Sequence, residues 1–282
     1  MAITFAHRTI SLIMLANRMA IPRIFPMSML IPLDQSVPPH DGPVVLALPG
    51  TGCSPAIYDA VRLEGWRVLG VDWSGSGRPI DPLSVARRVL DVLPRFTGPI
   101  ALLGHSTGAA IAALVASMAG ADTPITALVM SNTGVHSRNH GDPGFARRIM
   151  ERWSGDEQEA FLQMCFLHRP PSALWDAMRA YLAAIPPAAL LEAVQGLRAL
   201  DLDLHLRRIA VPTLIAHGRF DIRRQVSDAQ DLAAGIARSR VALLPGGHTP
   251  MVDCTAEYCA AVAEFLGPAT TATTARTARA AS

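Results

Sequence analysis

Gly104-His105-Ser106-Thr107-Gly108 stands where an apolar run, Ile100-Ala101-Leu102-Leu103, gives way to small residues over 109–119. The run reads as a buried strand and the small-residue stretch as a helix, so the pentapeptide occupies a sharp strand-to-helix turn. A serine at the apex of such a turn is held in a strained backbone conformation. Glycines two residues to either side remove the Cβ atoms that would clash there. The hydroxyl then stands exposed above the end of a sheet. The pentapeptide by itself is a weak signal; its position between strand and helix is what makes it specific.

Working outward, short Val/Leu/Ile-rich runs bounded by Gly or Pro alternate with amphipathic stretches from Pro43 onward. The expected strands cover 44–48, 67–72, 100–103, 126–131, 213–217 and 241–244. Helix signals fall between them, among them the N-cap pair Ser54-Pro55 and Thr255 before a stretch ending at Leu266. This pattern predicts an α/β fold: a mostly parallel twisted sheet with helices on both faces. The alternation stops over 135–205, where helical segments rich in large apolar residues follow one another, and this segment is expected to be an inserted helical lid. Most of its large side chains are expected to form its own core, with a minority, Trp153, Met164 and Trp175 among them, lining a substrate pocket. The expected organisation is an N-terminal extension (1–30), a core built from 31–134 and 206–266, the lid (135–205) and a disordered tail (267–282) of small polar residues.

Composition narrows the chemistry. The 282 residues are 50% hydrophobic, enough for a sizeable core. A net charge of +2, from 25 basic and 23 acidic residues, gives no field that would direct the chain to nucleic acid. All the basic residues are arginine. Without lysine there is no Schiff-base chemistry, no pyridoxal phosphate attachment and no phosphate-binding P-loop lysine. Cys53, Cys165, Cys254 and Cys259 form no CxxC pair and read as reduced, incidental thiols. The apolar run 9–16 is broken by Asn17 and Arg18, too short to span a membrane. Arg8 before it leaves secretion open, but residues 16–20 make a poor cleavage site, so a cytoplasmic protein is expected, its folded part beginning near Met27 or Met29.

A serine hydroxyl needs a histidine base, and that base needs an acid to fix its tautomer. Both are present downstream at strand ends. Asp221 follows the strand 213–217 through Gly218-Arg219-Phe220, and His248 lies in the loop Pro245-Gly246-Gly247-His248-Thr249-Pro250 after the strand 241–244. The carboxyl edge of a parallel sheet is where such groups converge.

The order Ser106, Asp221, His248 resembles the α/β-hydrolase superfamily, in its lid-bearing esterase, lactonase and haloperoxidase-like branch. The resemblance covers about 43–266. It includes Leu48-Pro49-Gly50-Thr51-Gly52, similar to the family's oxyanion loop but with proline where histidine is common, and Asp72-Trp73-Ser74-Gly75-Ser76-Gly77-Arg78, like its Asp-x-x-Gly-x-Gly segment. It implies a mixed eight-stranded sheet with an antiparallel strand near the start, and an oxyanion hole made by the backbone N–H groups of Thr51 and Thr107. It also implies a cofactor-free serine hydrolase of a carboxylic ester, lactone or thioester with an apolar acyl or aryl part. Its partner is then a small ester-like molecule, in an oligomeric state the sequence leaves open. Two alternatives remain: a non-hydrolytic homologue (perhydrolase or haloperoxidase, lyase, cyclase) and a non-catalytic ligand receptor, since fold does not fix chemistry.

Other polar residues read as structural. Asp72 is expected to cap the Gly75-Ser76-Gly77 loop. His105 and His217 are expected to pack or to bond the backbone. His136, His140 and Asp142, on a segment interrupted by Gly141, Pro143 and Gly144, are not expected to bind a metal, and the loop 132–142 is expected to form a pocket wall.

Overall fold

Seven strands make one sheet: β1 (Leu30–Pro32), β2 (Val44–Leu48), β3 (Arg67–Val71), β4 (Ile100–His105), β5 (Ile125–Ser131), β6 (Thr213–Gly218) and β7 (Ser239–Leu244), in the spatial order β1-β3-β2-β4-β5-β6-β7. The structure is a computed structural model that describes residues 29–33, 42–120 and 122–268. The expectations for residues 1–28, the apolar run among them, and for the tail beyond residue 268 lie outside the described residues. All pairings are parallel except β1 with β3, where Leu30 faces Val71 and Pro32 faces Leu69. The resemblance implied eight strands; the described residues carry seven, with β1 the antiparallel one.

Strands β2 and β4 are buried along their whole length, which is why they read as continuous apolar runs rather than alternating ones. β7 lies at the edge and leaves Val241 and Leu243 partly exposed. The chain moves from β2 outward to β3, then returns past β2 to β4 and continues toward β7. The connections leaving β2 and β4 therefore diverge, and this opens a crevice at their carboxyl ends.

Helices α1 (Pro82–Val92) and α2 (Thr107–Met118) pack on one another, and α2 lies against β4 and β5. Asp81 caps α1 by accepting the N–H groups of Leu83 and Ser84, both at 3.1 Å, and Pro82 occupies the first turn. In α2 every residue from Thr107 to Ala116 is buried, and the small side chains let the helix sit close to the sheet. Helices α8 (Val226–Gly235) and α10 (Thr255–Leu266) flank β6 and β7, and the short α9 (Pro250–Asp253) precedes α10. The Ser54-Pro55 signal does form a cap, with Ser54 Oγ accepting from Ala56 N at 3.2 Å. It opens only a 3-10 turn, Pro55–Tyr58, and not the expected helix.

Between β5 and β6 come α3 (Phe145–Arg152), α4 (Gly155–Gln163), α5 (Ser172–Ala184), α6 (Pro187–Ala199) and α7 (Asp203–Leu206). The only strand-like pairing there among the described residues is an isolated bridge between His136 and Asp201. Several hydrogen bonds tie this insertion to the core, four of them to its loops near the sheet's carboxyl edge. Tyr181 Oη donates to Asp72 Oδ1 (2.5 Å), Ile80 N to Glu192 Oε1 (2.8 Å), Leu167 N to Asp253 Oδ1 (3.0 Å) and Thr249 Oγ1 to the Cys165 carbonyl (2.6 Å). Among the described residues no single helix is long and apolar enough to cross a membrane.

Candidate active site

The turn after β4 is built as its sequence requires. Ser106 has φ 53° and ψ −118°, a conformation that L-residues rarely adopt. Two glycines make the turn possible by close approach. A Cβ on Gly104 would collide with the backbone of Ala109, and one on Gly108 with the carbonyl oxygens of Leu48 and Pro49. The N-terminus of α2 is thus seated directly on the loop that leaves β2. His105, buried beside Ser106, donates from Nε2 to the His248 carbonyl (2.9 Å). Burial, reinforced by the neighbouring His248, pushes its pKa down to about 3, so it is a neutral structural group.

Two further strand ends, those of β6 and β7, bring the other two residues to this serine. His248 Nε2 lies 3.1 Å from Ser106 Oγ, and His248 Nδ1 lies 2.8 Å from Asp221 Oδ2. Gly218 allows β6 to reach this close to the histidine loop, because a Cβ there would meet the Gly247 carbonyl. Asp221 is held from all sides. Its Oδ2 also accepts from Asn132 Nδ2 (2.7 Å), and its Oδ1 accepts the N–H groups of Arg223 (2.7 Å) and Arg224 (3.1 Å). Burial alone would raise the Asp221 pKa, but the bond from His248, its charge, and the donors of Asn132 and Arg223 outweigh it. The group lies well below the usual carboxylate range and stays ionised. An ionised Asp221 fixes the proton of neutral His248 on Nδ1, which leaves Nε2 free to accept from Ser106. Burial lowers the pKa of His248 and Asp221 opposes that shift; the balance keeps the imidazole neutral at pH 7.

Thr51 and Thr107 face one another, with their Oγ1 atoms 2.7 Å apart. Among the described residues neither backbone N–H has a hydrogen-bond partner. Gly50 makes room for this arrangement, since a Cβ there would stand 3.1 Å from that of Ser106. Two open donors at the start of α2, where the helix dipole is positive, suit a developing negative charge.

The site opens into a cavity of about 320 Å³. Phe145, Phe161, Met164, Val194, Leu197 and Ile222 form apolar wall, so the structure places Met164 on the lining of this cavity. Trp153 and Trp175 do not line it. Trp153 packs edge-on against Phe145 and Phe161 (centroids 5.9 and 6.1 Å), supporting the wall from outside the cavity. Trp175 is 1% exposed and packs against Phe166. Indole rings of this size are consumed by the insertion's own core. The walls are also less uniformly apolar than expected, because Arg148, Arg198, Arg223 and Arg224 line the cavity too. Cys53 and Cys165 are free thiols on its lining, and Cys165 Sγ donates to the Phe161 carbonyl (3.4 Å).

A family model described as Alpha/beta hydrolase family matches residues 44–262. The chain belongs to this family. Over 253 residues it is 29% identical to a protein of Variovorax paradoxus (strain S110) named "Putative carbamate hydrolase RutD", spanning 81% of this chain and 93% of that protein. Solved structures with the same fold include an esterase from Exiguobacterium antarcticum, at TM-score 0.71 and 21% identity, covering 80% of this chain and 92% of that one. An enol-lactonase from Burkholderia xenovorans LB400 aligns at TM-score 0.69 and 19% identity, covering 84% and 94%. A bromoperoxidase from Bacillus anthracis aligns at TM-score 0.71 and 20% identity, covering 84% and 98%.

In this alpha/beta hydrolase two residues matter that the sequence did not single out. Asn132, with φ 51° at the end of β5, bonds Asp221, the Gly247 carbonyl (3.2 Å) and the Gly218 N–H (3.3 Å). Arg223 reaches the cavity from the loop that holds Asp221. An Asn directly after an apolar strand at the carboxyl edge was the available signal for the first. Asp72 accepts from Gly75 N (2.9 Å) and Tyr181, as a loop and packing acid. His217 Nε2 donates to the Arg224 carbonyl (3.2 Å). His136 faces Asp201 and Asp203 with different ring nitrogens (3.5 and 3.4 Å) on the exposed surface, while Asp142 pairs with Arg148.

Proposed function

We propose that this alpha/beta hydrolase is a serine hydrolase that cleaves a carboxylic ester, lactone or thioester through an acyl-enzyme. The relative's name adds a carbamate to the candidate bonds. One observation carries the reading: the 3.1 Å contact of Ser106 Oγ with a His248 whose other nitrogen is held by Asp221 at 2.8 Å. Ser106 Oγ attacks the carbonyl carbon while His248 Nε2 takes its proton, and the carbonyl electron pair moves onto oxygen. The N–H groups of Thr51 and Thr107 bind that oxyanion. The tetrahedral intermediate collapses, and His248 returns the proton to the leaving alcohol or thiol. Water repeats the sequence on the acyl-enzyme and frees the acid. Nothing in this cycle requires a cofactor. Helices α3–α7 act as the lid, and Phe161 and Met164 supply apolar surface for the acyl or aryl part.

The test is turnover of a panel of p-nitrophenyl esters and lactones by the wild type and Ser106→Ala, together with mass-spectrometric detection of a fluorophosphonate adduct. Ser106→Ala should lose about four or more orders of magnitude in kcat, because nucleophile and base act as one unit, and should form no adduct. Near-wild-type turnover by a folded Ser106→Ala protein overturns the mechanism.

A further inference from the structure

Four arginines line the cavity, and three of them donate to protein acceptors. Arg148 pairs with Asp142 and with Glu157 (3.0 Å), and Arg198 donates to the Asp142 carbonyl (2.7 Å). Arg224 is buried against Asp228 (3.2 Å), Ser137 Oγ (2.5 Å) and the His136 carbonyl (3.1 Å). Arg223 differs. Among the described residues no carboxylate lies within ion-pair distance of its guanidinium, and its Nε is buried without a partner. The side chain stands over the Phe161 ring, 5.3 Å from the centroid, on the wall of the same cavity. Its backbone N–H bonds Asp221 Oδ1 at 2.7 Å, so its Cα is pinned beside the acid. An arginine held over an aromatic face still presents its N–H edge to an acceptor. A buried donor left without one is costly, and a protein tolerates that cost where a ligand supplies the acceptor.

We propose that Arg223 is a specificity residue that binds a carboxylate carried by the substrate, apart from the scissile carbonyl. The substrates favoured are then acyl compounds with an apolar chain or ring and one anionic end. The planar, two-oxygen carboxylate matches the guanidinium fork. A single negative charge matches Arg223, the lining arginine whose side chain has neither an acidic partner nor a hydrogen-bond acceptor among the described residues. Met164, Val194, Leu197 and Ile222 receive the hydrocarbon part. This names a substrate class for the proposed hydrolase and rests on that reading.

The experiment compares kcat/KM for mono-p-nitrophenyl glutarate and p-nitrophenyl pentanoate, which share acyl chain length and leaving group and differ in the terminal carboxylate. The wild type should prefer the glutarate by about tenfold or more, and Arg223→Gln should reduce that ratio by roughly a hundredfold, with Arg223→Lys between them. Removing the Arg223 charge also shifts the titration of His248, but this affects both esters alike and cancels in the ratio. A ratio unchanged by Arg223→Gln, or a wild type that prefers the pentanoate, overturns the proposal. Should neither ester be hydrolysed, the hydrolase reading fails, and calorimetry with glutarate decides the anion site separately. Binding lost in Arg223→Gln supports it, and no binding to the wild type overturns it. Thermal melts of both variants establish that they are folded.

Discussion

Asn132 Nδ2 and His248 Nδ1 donate to the same oxygen of Asp221, at 2.7 and 2.8 Å. The carboxylate is therefore oriented by a neutral amide just past the end of β5 as well as by its own loop. Asn132→Gly keeps a residue that accepts the φ of 51° while deleting the amide. We expect kcat/KM to fall by roughly ten- to a hundredfold and stability by about 1–3 kcal/mol, as buried partners lose their bonds. An unaltered kcat/KM in a folded variant would mean that the two N–H groups on Oδ1 suffice.

The two acids after β3 and β6 should separate cleanly. Asp221→Asn should cost on the order of a thousandfold or more in kcat, because an amide no longer holds the histidine in the productive tautomer. Asp72→Ala should act on stability, since it strands the Tyr181 hydroxyl and the Gly75 N–H. Parallel rate assays and melts check this, and reversed losses would reassign the acid.

The pH profile follows from the direction of the His248 shift. In the proposed mechanism the neutral imidazole is the base, and its folded pKa is lowered by burial, against the opposing effect of Asp221. Activity is then fully present above the ordinary imidazole value of about 6.5 and is lost as pH falls through the depressed pKa. kcat/KM measured from pH 4 to 9 should show its acid limb below about 6.5. A limb above that value contradicts the assigned environment.

Gly108→Ala should damage fold and activity together. Its new Cβ would meet the carbonyl oxygens of Leu48 and Pro49, backbone atoms that cannot swing aside as a side chain does. A loss of at least about 1–3 kcal/mol in denaturant melts is expected, with kcat falling as Thr107 is displaced from Thr51. A variant with wild-type melting and rate would mean that α2 is not seated on the β2 loop.

Met164 and Trp175 should divide selectivity from stability. Met164 is 41% exposed on the cavity wall, whereas Trp175 is 1% exposed. Met164→Ala should alter relative kcat/KM across acyl chain lengths by about ten- to a hundredfold with little change in Tm. Trp175→Ala should cost about 3–5 kcal/mol and leave the substrate ranking alone. The ranking across chain lengths and a thermal melt measure both.

The parallel strands and the Ser106, Asp221 and His248 positions were legible because each is written locally. An apolar run, a glycine or a polar residue at a strand end carries its meaning within a few residues. β1 escaped because three residues carry no periodicity and its pairing partner is set by tertiary contact. Asn132 and Arg223 were missed for a related reason. Their roles depend on which strand ends meet, and no local pattern distinguishes Arg223 from Arg224, although one reaches the cavity unpaired and the other is buried against Asp228. The tryptophans failed in the opposite way. Size and apolarity say that a side chain is buried, but not whether it faces a cavity or the interior of a helical layer.

Four of the hydrogen bonds that fasten the helical insertion to the core run through Tyr181, Glu192, Leu167 and Cys165. Of these only Cys165 belongs to the cavity wall, and it is held through its main-chain carbonyl, which any replacement retains. At these four attachments the side chains that shape the binding space are therefore distinct from those that secure the roof above it. Substitutions at Met164, Val194, Leu197 or Ile222 can accumulate without loosening the attachment, so such a scaffold can change its diet of substrates over evolutionary time, or in a directed library, while its reaction machinery and its robustness stay where they are.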